Sequence, residues 1–227
     1  RYMPSTKNPE APDVLFLGCS FTYGYGVNDD QTFTSILQKK FSRSSFRNAG
    51  VIGYGTVQSL MQLKEAIKNH ELKAVVLNFS SLHFMRNNLS QQYRSNLKIG
   101  YQRSSSSVES LMDQARFPYK SSCESTIQFQ DWESMYSNWP GRSWFASING
   151  LQSMYDNASE GEDRVEITAC IIQEMAALCA KSDIKFMVSC LDKTKETKEL
   201  HAQLEGVNWV DVHFDFKSKK HTNLPYD

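Results

Sequence analysis

The stretch Val14-Leu15-Phe16-Leu17-Gly18-Cys19-Ser20-Phe21-Thr22 decides how this chain is read. Four consecutive apolar residues between Pro12 and Gly18 make the pattern of a short buried strand. The small residues that follow permit a tight turn from strand into helix. Ser20 then stands just past the carboxyl end of that strand. In open α/β sheets ligands bind in the crevice outside the carboxyl ends of the strands, so a hydroxyl at this point is a candidate nucleophile. It is also a candidate helix N-cap, a role that serine fills well.

Outward from this stretch, Thr32 to Phe41 carries Phe33, Ile36, Leu37 and Phe41 at helical spacing, with Asp29, Asp30 and Thr32 available as caps. A second strand is expected at Phe46-Arg47-Asn48-Ala49, and a helix over Val57 to Lys68. A third, largely buried strand is expected at Lys73 to Phe79. Strand, helix, strand, helix, strand in this order calls for a parallel sheet with right-handed crossovers. From about Ser90 to Gly161 the periodicity fails: Ser104 to Ser107 is low-complexity, and Trp132, Trp139, Pro140 and Trp144 are scattered among polar residues. This reads as an irregular insertion, a lid or a substrate wall, within a single domain spanning 1–227. Regular structure is expected again as a helix over Val165 to Ala180, a strand over Ile184 to Leu191, a helix over Thr197 to Leu204 and a last strand over Val207 to Val212. The fold class is therefore α/β, a three-layer α/β/α sandwich around a central five-stranded, mostly parallel sheet.

The 227 residues hold 25 Lys plus Arg against 25 Asp plus Glu, so there is no global electrostatic footprint for nucleic acid or an anionic membrane. No apolar run reaches the length of a membrane span. The chain begins at Arg1, so an export signal ahead of it would be invisible, and both a cytoplasmic and an exported protein stay open. Cys170, Cys179 and Cys190 lie in apolar stretches and read as buried free thiols, Cys19 lies within the opening motif, and Cys123 sits in a polar loop. An odd count at irregular spacing does not read as a disulfide framework, and a reducing compartment fits it. No Cys/His spacing suggests zinc.

The segment from Gly18 to Val27, followed by Asn48-Ala49-Gly50-Val51-Ile52-Gly53-Tyr54-Gly55, resembles the SGNH (GDSL-type) hydrolase superfamily over about the first third of the chain. In that family the first block is typically Gly-Asp-Ser and supplies the nucleophile; here Cys19 replaces the Asp and Phe21 the usual Leu. The resemblance places the nucleophile at Ser20 and the oxyanion-hole glycine at Gly53, with the backbone N–H of Ser20 as a second donor. Gly53 also reads simply as a turn glycine needing positive φ. The rival Gly-x-Ser-x-Gly elbow fails because Thr22 stands where its second glycine belongs, and no phosphate-loop pattern is present.

The family's third block, usually Gly-x-Asn-Asp after the third strand, does not match Ser80-Ser81-Leu82-His83. A His-x-x-Arg-Asn pattern stands there instead, which makes His83, Arg86 and Asn87 candidates for substrate contact or for the missing donor. His83 reads equally as a structural histidine and Arg86 as an ion-pair partner. The last family block is Asp-x-His or Asp-x-x-His, and Asn223-Leu224-Pro225-Tyr226-Asp227 resembles the approach to it. On that reading Asp227 is the triad carboxylate and the base follows it in a tail that also supplies a final helix. The alternative base is His221, with Asp211 or Asp215 nearby. The resemblance implies a flavodoxin-like sandwich and a serine esterase that hydrolyses an acyl or acetyl ester of a carbohydrate or small metabolite, with no metal or organic cofactor. A catalytically silent binding protein on the same scaffold and an O-acyltransferase using the same acyl-enzyme are the alternatives. Nothing in the sequence speaks to oligomeric state.

Overall fold

The computed structural model describes residues 13–102, 114–137 and 146–213. The low-complexity serines 104–107, Trp139, Pro140, Trp144, Asp215, His221 and Asp227 lie outside the described residues. The central sheet is formed by β1 (Asp13–Gly18), β2 (Ser45–Asn48), β3 (Leu72–Phe79), β6 (Lys185–Cys190) and β7 (Asn208–Asp211), in the order β2-β1-β3-β6-β7. Every pairing in it is parallel. This is the doubly wound flavodoxin-like order, whose switch point lies between β1 and β3. Gly18 pairs with Asn78 and Asn78 with Ser189, so β1, β3 and β6 end level and form one carboxyl edge.

Alternation along the strands sends Leu15, Leu17, Val75, Leu77, Phe79, Phe186 and Val188 to one face. There they pack against α3 (Thr56–Asn69), through Val57, Leu60 and Leu63, and against the long helix α7 (Ala146–Lys181), through Ile171, Ile172 and Met175. Helix α4 (Leu82–Asn87) adds Phe84, and α8 (Lys195–Gln203) adds Leu200. On the opposite face α2 (Phe33–Lys40) sets Phe33 edge-on to Phe16, ring centroids 5.0 Å apart. Thr32 caps α2, its Oγ1 accepting from the Ser35 N–H (3.3 Å).

Three expectations change. The stretch expected to be irregular holds α5 (Gln91–Gln102), an antiparallel pair β4 (Arg116–Tyr119) and β5 (Gln128–Asp131), and the short α6 (Trp132–Ser137). Helix α7 begins at Ala146 rather than Val165. Periodicity reports which residues a helix buries, and only from Val165 onward does the sequence carry a continuous apolar stripe. Finally, Cys170 is not a free thiol: it forms a disulfide with Cys123. Cys170 lies on a partly exposed flank of α7, where the loop joining β4 to β5 crosses it. Cys19, Cys179 and Cys190 are buried and free, and burial pushes the Cys190 thiol up to about 12.

Candidate active site

Ser20 opens a one-turn helix, α1 (Ser20–Tyr23), which Gly24 ends at φ 81°. The N-cap position belongs to Cys19, so Ser20 is not the cap. Two strand-end amides hold this turn against the sheet edge. Asn48 at the end of β2 donates from Nδ2 to Thr22 O (2.7 Å), and Asn78 near the end of β3 donates from Nδ2 to Thr22 Oγ1 (3.1 Å). With Thr22 buried and anchored, Ser20 stays partly exposed, and its Oγ has no hydrogen-bond partner among the described residues. The Ser20 hydroxyl thus sits on a fixed backbone and is left uncommitted; to act as a nucleophile it would need a base within hydrogen-bond reach.

The second block lies against this turn. Val51 N–H donates to Gly18 O (3.1 Å), and a Cβ on Gly50 would stand 2.4 Å from Tyr23 N, so only glycine lets the two segments approach this closely. Val51 to Tyr54 form a turn closed by Tyr54 N–H to Val51 O (3.2 Å). Gly53 holds its third position at φ 83°, in the left-handed region that favours glycine. A Cβ on Gly53 would meet nothing within 4 Å, so the turn faces open space. The Gly53 N–H donates to no described group, while its carbonyl accepts from the Tyr93 hydroxyl (3.2 Å).

The third block turns inward rather than toward Ser20. His83 is fully buried, with Nδ1 3.3 Å from Thr56 Oγ1 and its ring edge-on to Phe79. Burial, and secondarily the Arg86 guanidinium, hold its pKa down at about 3, so the ring is neutral and a poor general base. Asn87 is also fully buried: its Oδ1 accepts from Thr56 N–H (2.7 Å) and Val57 N–H (3.2 Å), and its Nδ2 donates to Thr168 Oγ1 (2.8 Å). Arg86 Nη1 donates to Tyr54 O (2.8 Å). Both ends of the Asn87 amide are therefore engaged away from any substrate, as is the Asn78 Nδ2 group.

Sequence reasoning missed two groups. Asp192, just past β6 on the same carboxyl edge as Ser20, accepts from Ser81 N–H at both oxygens (3.0 and 2.9 Å) and from Ser81 Oγ (2.6 Å). A carboxylate directly after the apolar run ending in Leu191 was the available signal. Tyr93 was missed because it sits in a polar stretch; its burial raises the phenol pKa and keeps it a donor. A cavity of about 570 Å³ opens beside Gly53, with Tyr54, Tyr93, Phe117 and Phe129 among its walls and Gln58, Gln62 and Glu65 supplying polar groups. Among the described residues no His/Cys/Asp/Glu group is arranged to hold a metal, and no helix is long and apolar enough to cross a membrane.

No family model and no curated protein matches the sequence. Among solved structures the chain is similar to a protein assigned to the G-D-S-L lipolytic family from Desulfitobacterium hafniense DCB-2, at 13% identity, covering 94% of this chain and 90% of that one, with a TM-score of 0.46. It is similar also to a protein assigned as an acylhydrolase from Bacteroides fragilis NCTC 9343 (15% identity, 92% and 70% coverage, TM-score 0.43). A mutant of the esterase AlinE4 aligns at 10% identity, covering 88% of this chain and 76% of that one, with a TM-score of 0.41.

Proposed function

We propose that this chain is a serine ester hydrolase of the SGNH type, acting through an acyl-enzyme on Ser20. The observation that carries the reading is the uncommitted Ser20 hydroxyl at the β1/β3 switch point, beside a glycine turn whose own N–H is unused by the described residues. Ser20 Oγ bonds to the ester carbonyl carbon while a base takes its proton. The N–H groups of Ser20 and Gly53 receive the developing oxyanion. Collapse expels the alcohol, which leaves with the proton from the base, and water then releases the acid from Ser20. The base and its carboxylate are assigned to the C-terminal block, with Asp227 as the triad carboxylate on one reading and His221 as the base beside Asp211 or Asp215 on the other; Asp215, His221 and Asp227 lie outside the described residues. His83 is excluded from that role by its burial and depressed pKa.

The cavity beside Gly53 favours an acyl or acetyl ester of a carbohydrate or small metabolite, because aromatic walls interspersed with amide and carboxylate groups suit a polyhydroxylated ring. A fluorophosphonate probe tests the reading: labelling of the wild type that is lost in Ser20→Ala supports it. A folded wild type with an intact C-terminus that neither labels nor hydrolyses p-nitrophenyl acetate defeats it in favour of a binding protein. Faster acetyl transfer to an added sugar than to water would assign the same acyl-enzyme to an acyltransferase.

A further inference from the structure

The Gly53 turn has an open side and a held side. On the open side nothing stands within 4 Å of where a Cβ would be, so side-chain packing does not fix it. On the held side, residues of α4 and the start of α5 grip consecutive backbone groups. The Tyr93 hydroxyl donates to Gly53 O (3.2 Å), Arg86 Nη1 to Tyr54 O (2.8 Å), and Asn87 Oδ1 accepts from Thr56 and Val57 N–H (2.7 and 3.2 Å).

Asn87 caps α3 from another helix, since the N-cap residue, Gly55, has no side chain with which to cap. A Cβ there would stand 2.8 Å from Asn87 Oδ1 and 2.9 Å from Arg86 Cβ, so the glycine is what lets α4 reach the turn. The grip is itself anchored: Asn87 Nδ2 bonds Thr168 on α7, and Lys120 N–H donates to Asn87 O (2.9 Å). Arg86 also lies 6.0 Å from the centre of the Tyr93 ring, within cation–π range, so the two gripping side chains support each other.

We propose that Tyr93 and Arg86 are positioning residues that hold the Gly53 N–H in place for the oxyanion, so that the third block acts on the reaction through the turn and not by donating to the substrate. The proposal rests on the hydrolase reading above. Oxyanion donors accelerate because they are oriented before charge develops, so a turn freed to rotate about Gly53 loses part of that benefit while its N–H remains present.

The test uses Tyr93→Phe, which removes one oxygen and keeps the ring in the cavity wall, with Arg86→Lys as a second variant. Hydrolysis of p-nitrophenyl acetate and affinity for a boronic acid transition-state mimic are measured beside Ser20→Ala. The expected result is a kcat lower by about tenfold with KM within about twofold, and a parallel loss of boronic acid affinity, since an oriented donor is felt in the transition state. Melting curves confirm that each variant is folded, and Arg86→Lys carries the test if Tyr93→Phe does not fold. Ser20-dependent turnover in the wild type with unchanged kcat in the folded variants overturns this inference alone. A rise in KM at constant kcat also overturns it, because that marks a substrate contact. Absence of Ser20-dependent turnover in the wild type overturns the hydrolase reading itself.

Discussion

The turn that carries Ser20 and the turn that carries Gly53 reach the same sheet edge by different means. The first is tied by short-range backbone bonds and by amides projecting from the ends of β2 and β3, so its supports are parts of the sheet itself. The second leaves the sheet altogether and depends on side chains of α4 and α5 that arrive 30 to 40 residues later in the chain. The Ser20 turn is thus mounted directly on the sheet. The glycine turn, also open on one side, takes its rigidity from a buried polar network behind it.

The sharpest way to break this comparison is Ser20→Ala. On the hydrolase reading it should remove hydrolysis by a factor on the order of 10⁶, because loss of the nucleophile removes what the whole constellation contributes, while leaving the melting temperature unchanged. Retained turnover would detach the first turn from the chemistry.

Gly55→Ala strikes the second turn. The added methyl group would stand 2.8 Å from Asn87 Oδ1 and 2.9 Å from Arg86 Cβ, and overpacking of this kind costs up to about 3 kcal/mol. Urea denaturation should show the loss, and a neutral result would mean that α4 does not grip the turn.

Acid should weaken the same side. His83 is held at about 3 in the folded chain against an ordinary 6.5, so between those values the unfolded chain binds a proton that the folded chain refuses. Stability is full above pH 6.5 and declines as pH falls toward 3, by about 3 kcal/mol on reaching pH 4.5. In His83→Asn this component of the slope should vanish, and an unchanged slope would refute the assignment.

Gly53→Ala gives the smallest effect. With no neighbour within 4 Å the methyl group has room, so only the φ of 83° is penalised, by about 1 kcal/mol. A stability loss exceeding that of Gly55→Ala would invert the picture of an open turn held from behind.

Legibility in the sequence follows the same division. The apolar run 14–17, the Ser20 turn and the glycines of residues 50–55 are local signals, and strand and helix order followed from periodicity because the buried faces of β1, β3, α3 and the second half of α7 are predominantly apolar. The place of Ser20 past a strand end and the positive φ of Gly53 were readable for the same reason. The role of Asn87 was not, since it depends on Thr56, Val57 and Thr168, residues 30 to 81 positions away. Nor was that of Tyr93, whose partner is a backbone carbonyl that carries no sequence signature. The Cys123–Cys170 pair, 47 residues apart, was hidden because an apolar neighbourhood around Cys170 describes the helix and not the flank on which the thiol lies.

That bridge makes the maturation history of the molecule matter. It fastens the loop at the tip of the β4–β5 hairpin to α7, while the hairpin's other end walls the cavity beside Gly53. Protein recovered from an oxidising secretory route and protein recovered from a glutathione-rich host will differ by two hydrogens in mass. The reduced form should be nicked first by trypsin near Lys120.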